Sequence, residues 1–437
     1  MMSAEFTSPT DFWPHFVEHY LGQRPIVIKQ FYARPLTTAE EVFKGLLTAS
    51  EQFRAGGHRG AIKFHTERSL KYDEVTEKHF PEPDDNSLDG YAERISRSLN
   101  GRRFFVSFDR YQTCDARIYL RVREFLRGLY ETTGIPASSS TAVIVFGNYE
   151  KTPFGLHRDN AGNFTFVLDG RKRILAWPDE YFSGREDVLY SLDYEPFRDD
   201  AIVLEGQSGD LLYWPPNYWH IAESVGGFPL TLSVGNFSPE NDASAKFFKK
   251  LSRSIEQRVR GAVGAGLYPL NPNQLQESAD QLPLLAGQLS TALREASQDT
   301  QLAQSLRIAW LNRMSSFGFQ AVPPPLPQSA LADEDVCCVD THYPILWLHA
   351  DNEFVCSANG HAFSITAHPI VLQLLEQLNK GESCRIKCLL DKYAGTALVN
   401  NVEVAVTRED LRSIMEKLWS LRALTRTAQP HASVSTS

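Results

Sequence analysis

The 437-residue chain is 42% hydrophobic and 22% charged, enough for a sizeable core and a length that suits two or three domains better than one. It has no apolar run near the roughly 18 residues a membrane helix needs, and residues 1–22 lack the basic and apolar regions of a secretory signal, so a cytoplasmic protein is expected. With 44 Lys+Arg against 53 Asp+Glu, the formal charge of −9 gives no reason to expect nucleic acid, and six cysteines are too few for a disulfide framework.

From Ser8 to about Leu47 the pattern is helical, then briefly extended, then helical. Phe12, Phe16 and Tyr20 recur at four-residue spacing ahead of Pro25-Ile26-Val27-Ile28, which reads as a lid of helices over a first strand. Residues 51–100 are charged and turn-rich and read as a substrate-facing insertion. Strand-like segments then dominate: Phe104–Phe108, Ala142–Phe146, Phe164–Leu168, Arg171–Trp177, Ala201–Leu204, Leu211–Trp214 and Leu230–Phe237. Asp169-Gly170 predicts a tight hairpin and Ser208-Gly209-Asp210 another turn, giving an antiparallel sandwich or barrel.

From Ala243 to about Met314 the spacing turns helical, with Phe247, Leu251 and Ile255 on one face and Leu282, Leu285, Leu289 and Leu293 on another. The proline-rich stretch Val322–Pro327 is the clearest domain boundary. Beyond it, two short strands (Ile345–Leu348 and Glu353–Val355) and three helices (His368–Leu378, Cys384–Tyr393 and Arg408–Leu421) suggest a winged-helix-like unit. With 8 Lys+Arg and 10 Asp+Glu between residues 340 and 424, this unit suits protein contact better than a duplex. Cys384 and Cys388 could share a helix face and bind zinc, a minor reading without a CxxC pair.

The chemistry concentrates in Phe154-Gly155-Leu156-His157-Arg158-Asp159-Asn160 and, 61 residues after Asp159, in His220 at the end of Tyr213-Trp214-Pro215-Pro216-Asn217-Tyr218-Trp219-His220. On an extended strand His157 and Asp159 leave the same face, with Arg158 on the other, and a histidine from a second strand closes a triangle with them. Two imidazoles and one carboxylate form the facial arrangement of non-heme Fe(II) oxygenases. Lys172, just past the Asp169-Gly170 turn, is a candidate cation for a dicarboxylate cosubstrate, and Trp214, Tyr218 and Trp219 are candidate walls.

Over roughly residues 8–240 the chain resembles the JmjC and cupin-like Fe(II)/2-oxoglutarate oxygenases that hydroxylate proteins. His157, Asp159, Asn163, Lys172, Trp219-His220 and Asn236 stand in the order and spacing of the asparaginyl-hydroxylase branch. The resemblance implies iron(II) held by His157, Asp159 and His220, 2-oxoglutarate and dioxygen as cosubstrates, and Lys172 on the far carboxylate of 2-oxoglutarate. It makes Asn163 and Asn236 contacts of the ligands or the cosubstrate, and leaves the hydroxyl beside the lysine open among Tyr149, Thr152 and Thr165.

Domain order is also similar to that of the ribosomal oxygenases. It implies an α+β protein: a double-stranded β-helix (jelly-roll, cupin-type) JmjC core over 1–240, a helical, dimerising segment with its linker over 241–327, and a winged-helix-like domain with a disordered tail over 328–437. The function implied is hydroxylation of an amino-acid side chain in a protein or peptide substrate. The alternatives are a hydroxylase of a free amino acid or small molecule, and a catalytically silent cupin-type binding protein.

Overall fold

The computed structural model describes residues 9–32, 35–56, 62–66, 79–136, 139–237, 253, 282–319, 321–327, 330–350 and 352–426. Two compact units emerge, one of residues 1–242 with 318–324, the other of residues 243–317 with 325–437. The Phe247, Leu251 and Ile255 spacing, part of the 51–100 insertion and the tail beyond 426 lie outside the described residues, as do the side chains of Leu282, Leu285 and Leu289.

The first unit begins with α1 (Pro9–His19) and β1 (Ile26–Ile28). Phe12, Phe16 and Tyr20 are all buried, and the Phe16 ring meets Phe164 and Tyr213 of the barrel at 5.5 and 4.8 Å, so the four-residue apolar spacing marks a helix laid on a sheet. Next comes α2 (Ala39–Arg54), started by a capping box between Thr38 and Glu41. The unit continues with β2 (Ile62–Thr66), α3 (Leu88–Ser98), β3 (Phe104–Asp109), α4 (Ala116–Thr133) and β4 (Ser140–Gly147). It ends with β5 (His157–Arg158), β6 (Ala161–Asp169), β7 (Arg171–Trp177), β8 (Ile202–Gln207), β9 (Leu211–Trp214), β10 (Trp219–Ser224) and β11 (Leu230–Phe237).

These strands form a seven-stranded sheet in the order β1-β9-β6-β11-β4-β3-β2 and a four-stranded sheet in the order β5-β10-β7-β8. Every pairing in both is antiparallel. This is the jelly-roll layout of a JmjC or cupin-like core. Asp169-Gly170 is not the hairpin its sequence suggests, because β6 lies in the large sheet and β7 in the small one. The dipeptide turns a corner between sheets: Gly170 has φ +70°, and a Cβ there would stand 3.1 Å from Pro229. Ser208-Gly209-Asp210 makes the equivalent corner from β8 to β9. Its buried Asp210 carboxylate accepts from Lys29 Nζ and the backbone N–H groups of Gln30 and Gln207.

Residues 318–324 belong to this first unit. Ser140 N–H donates to Gly318 O at 3.0 Å and Gln112 Nε2 to Ala321 O at 3.0 Å, so the chain returns to the barrel before the proline run ends.

In the second unit, α5 (Leu282–Gln298) and α6 (Thr300–Ser315) precede β12 (Val336–Cys338), β13 (Leu346–Ala350), β14 (Glu353–Ala358), β15 (His361–Thr366) and α7 (Pro369–Leu378). Then follow β16 (Cys384–Arg385), α8 (Ile386–Tyr393), β17 (Gly395–Val399), β18 (Val402–Val406), α9 (Arg408–Ser420) and β19 (Thr425–Arg426). Leu374, Leu375, Ile386, Leu390, Leu411, Met415 and Leu418 centre its core. The unit holds more strand than the sequence suggests, in three small sheets: β16-β12-β19, β13-β14-β15 and the hairpin β17-β18. Helix α6 packs on β13–β15, with Ser357 Oγ donating to Asn312 Oδ1 at 2.7 Å. Cys384 sits on β16, ahead of α8 rather than on it, and among the described residues no cysteine joins a group able to hold a metal.

Candidate active site

Strand β10 builds the site by pairing with β5 on one edge and β7 on the other, which puts His220 directly opposite both His157 and Ala176. Asp159 follows two residues after His157, and its backbone carbonyl accepts from Asn217 N–H at 2.9 Å. His157, Asp159 and His220 thereby present ligand atoms all within 4.8 Å of one another. His157 Nε2 lies 3.9 Å from Asp159 Oδ1, and His220 Nε2 lies 3.6 Å from Asp159 Oδ2.

The tautomers are set from behind. His157 Nδ1 is 2.8 Å from Gly155 O and His220 Nδ1 is 3.0 Å from Tyr218 O. A carbonyl can only accept, so each Nδ1 carries the proton and each Nε2 keeps its lone pair toward Asp159. Burial, and then the neighbouring His157, push the His220 pKa down, so this imidazole is neutral and ready to ligate at neutral pH. Asn163 Nδ2 donates to Asp159 Oδ2 at 3.1 Å and to Ala161 O at 3.2 Å, which fixes the carboxylate. This donor set fits a divalent transition metal.

Gly155 is tied into the same arrangement. Its φ is +66°, and a Cβ at this position would stand 2.4 Å from the Tyr190 carbonyl oxygen. Leu156 N–H donates to Ser191 O, and Tyr190 N–H to Leu156 O, clamping the approach to β5.

Lys172 shares the His220 face of the small sheet: His220 pairs with Ala176, and Lys172, two alternations further on, pairs with Ser224. Its side chain is buried, and Nζ donates to the Tyr149 hydroxyl. Burial lowers the Lys172 pKa to about 7 and raises that of Tyr149. Of the three hydroxyls open in the sequence, Tyr149 is the one beside the lysine. Thr165 instead shares a 2.8 Å hydrogen bond with Ser233, and Thr152 Oγ1 accepts from Ala222 N–H at 3.4 Å.

Asn236 is not brought to the site. It pairs with Ser140 and Gly162, whereas its neighbour Gly235 lines the cavity opposite Asn163, so alternation turns Asn236 to the other face. There its Oδ1 accepts from Ser140 Oγ at 3.4 Å. Trp219 also faces outward, into a cluster with Leu156, Trp177 and Phe182; Trp214 alone of the three aromatics approaches a ligand, 5.2 Å from the His220 ring. Arg158 points away as alternation requires, over Trp219 and onto Asp179 at 2.5 Å.

A cavity of about 480 Å³ opens onto His157, Asp159 and Asn163. Its far wall comes from β3 and β4, with Ser107, Asp109, Thr141, Val143 and Val145, and Phe154 and Lys63 complete it. Sequence reading missed this wall. The signal was the alternation of 141, 143 and 145 along β4, which gives a face but not what the face looks at.

An antiparallel jelly roll that presents two histidines and a carboxylate on one interior face is the arrangement expected of a JmjC or cupin-like core. Residues 134–243 match the family model described as the JmjC domain, so this chain carries one, and all three candidate ligands fall inside it. No curated protein matches the sequence. Among solved structures, the ribosomal oxygenase YcfD of Escherichia coli in complex with cobalt and succinic acid is 14% identical, with a TM-score of 0.48 over 95% of this chain and 98% of that one. The same protein with cobalt and 2-oxoglutarate is 15% identical, with a TM-score of 0.47 over 95% and 98%. An oxalate decarboxylase variant of Bacillus subtilis is 12% identical, with a TM-score of 0.18 over 31% and 25%. Likeness at this level carries no conclusion about activity.

Proposed function

We propose that the protein is an Fe(II)- and 2-oxoglutarate-dependent oxygenase that hydroxylates an amino-acid side chain in a protein or peptide. The reading is carried by the three converging ligand atoms, with both Nδ1–H groups already committed to backbone carbonyls. When bound, iron(II) on this face supplies dioxygen activation, coupling decarboxylation of 2-oxoglutarate to succinate with oxidation of a C–H bond to C–OH.

The chain does the rest. Lys172 and the Tyr149 hydroxyl receive the far carboxylate of 2-oxoglutarate in a pocket too dry for a free charge, so the ammonium and carboxylate form a pair there. Asn163 holds Asp159 in place. Val143, Val145 and Phe154 offer the target side chain an apolar slot that excludes water beside the ligands. The second unit is read as a winged-helix-like recognition module with the β17-β18 hairpin as its wing, and the α5–α6 segment as the contact between two copies.

Equilibrium titration of anaerobic Fe(II)-loaded protein with 2-oxoglutarate tests this assignment. Wild type is expected to bind one equivalent. His220→Ala is expected to lose metal and cosubstrate together, and Lys172→Met to keep the metal but bind 2-oxoglutarate about thirtyfold more weakly, the worth of one charge-assisted hydrogen bond of about 2 kcal/mol. Unchanged 2-oxoglutarate affinity in Lys172→Met contradicts the assignment of the lysine.

A further inference from the structure

One cation on the cavity wall has no partner for its side chain among the described residues. Besides the candidate ligands, Lys63, Asp109 and Arg110 are its formally charged lining residues, and Lys63 Nζ pairs with Asp109 Oδ2 at 2.7 Å. The exposed Arg110 guanidinium has no hydrogen bond, ion pair or ring contact among the described residues. Its backbone is also unusual. Arg110 stands at the end of β3 with φ +60°, a left-handed conformation that costs an L-residue free energy and persists only where its surroundings enforce it.

The surroundings do enforce it. Arg110 O accepts from both the backbone N–H and the hydroxyl of Thr113, at 2.9 and 2.8 Å. Tyr111 and Gln112, next in the chain, are fully buried, and Gln112 Oε1 accepts from Ala142 N–H of β4 at 2.9 Å. The turn is pinned on both sides, so it holds one cation with five free donors over a cavity that ends at the triad.

We infer that Arg110 is a specificity residue that reads a carboxylate on the substrate, next to the C–H bond presented to His157, Asp159 and His220. This rests on the oxygenase reading and narrows its substrate to an acid-bearing one. A planar guanidinium matches a carboxylate bidentately, and Val143 and Val145 suit the aliphatic part of the same substrate. The carboxylate has two sources, an Asp or Glu flanking the target residue of a peptide, or the side-chain carboxylate of a free acidic amino acid.

The test has two arms, run on wild type, Arg110→Asn and Arg110→Glu. Asparagine tolerates the left-handed backbone, so Arg110→Asn removes the cation without burdening the fold. In the first arm, full-length protein with Fe(II) and 2-oxoglutarate, kept free of oxygen, selects from a random library of end-capped pentapeptides, and the retained pool is sequenced. In the second, succinate release is measured with each free amino acid in turn. The expected result is an enrichment of Asp and Glu of about threefold or more in the peptide pool, or stimulation confined to the acidic amino acids. Either preference disappears in Arg110→Asn and shifts toward Lys and Arg in Arg110→Glu, and the arm that shows it identifies the source. If neither arm shows an acidic preference in wild type, or if the preference survives in Arg110→Asn, the inference is wrong. Substrate-free succinate release by wild type against His157→Ala decides the oxygenase reading separately, whichever way the selection falls.

Discussion

Lys172 changes its chemistry on folding. Its pKa falls from 10.5 to about 7 because its ammonium is buried. Between pH 7 and 10.5 the unfolded chain therefore holds a proton that the folded chain has released, and stability of the ligand-free protein rises with pH across that window. The slope approaches about 1.4 kcal/mol per pH unit. Chemical denaturation at several pH values is expected to show this slope in wild type and its loss in Lys172→Met. Binding has the opposite sign: a carboxylate needs the ammonium form, so 2-oxoglutarate affinity weakens about tenfold per unit above pH 7, and calorimetry in buffers of different ionisation enthalpy should find proton uptake there. Gly155 offers a second test. Gly155→Ala puts a Cβ against the Tyr190 carbonyl and disturbs the oxygen that accepts from His157 Nδ1, so metal affinity is expected to fall about 10–100-fold, the usual cost of losing a partner behind a ligand. At this scale the triad was legible because ligand chemistry restricts residue types and spacing. Asn236 was misplaced because its face depends on the register of β11 with β4 and β6, which residue counting does not supply.

At the scale of elements, β10 matters most, since it carries His220 between β5 and β7. Its outer face is tied down by Glu223, a buried carboxylate that accepts from Arg198 at 2.6 and 2.9 Å, from Arg173 at 3.2 Å and from Tyr194 at 2.5 Å. Burial would raise the Glu223 pKa, but Arg198, Tyr194 and Arg173 outweigh it and hold the carboxyl below its ordinary value. The carboxylate's contribution to stability is therefore present above the unfolded-state carboxyl pKa and lost as pH falls through the lower folded value. Glu223→Ala leaves the buried Tyr194 hydroxyl without its acceptor and Arg198 with only Glu195 at 3.4 Å, while Arg173 keeps Glu205 at 2.7 and 2.9 Å, a loss of about 2–4 kcal/mol measurable by denaturant melts. If β10 is the carrier of the site, metal affinity falls with it. The strands β3, β4, β6, β7, β8, β9 and β11 are readable from apolar alternation, and α1 and α2 from helical spacing, whereas β10 is not among the strand segments read from the sequence. The two-residue β5 is too short to show a pattern, and Asp169-Gly170 reads as a hairpin because turn residues report the bend but not which sheet receives the next strand.

For the whole molecule, the sequence places a boundary at the proline run, whereas the first unit recovers residues 318–324 after the helical segment. A chain ending at 242 is therefore expected to be less stable than full-length protein by about 2–4 kcal/mol, because it strands Gln112 Nε2 and Ser140 N–H and strips Phe319 from Tyr119. Thermal melts of that fragment, with and without an added peptide of residues 318–324, measure the difference. Proline composition reads as a boundary, but the pairing that returns a short segment to the barrel depends on long-range hydrogen bonds that no local pattern records. No described helix is long and apolar enough to cross a membrane, as the composition implies.

His157, Asp159 and His220 are proposed to hold a metal at which 2-oxoglutarate is turned over. Succinate release from 2-oxoglutarate, by Fe(II)-reconstituted wild type beside a folded His157→Ala, measures it most directly. Iron-dependent succinate is expected from wild type and none above background from the variant. Equal release from both, or no release from a wild type shown to have bound iron and 2-oxoglutarate, contradicts it.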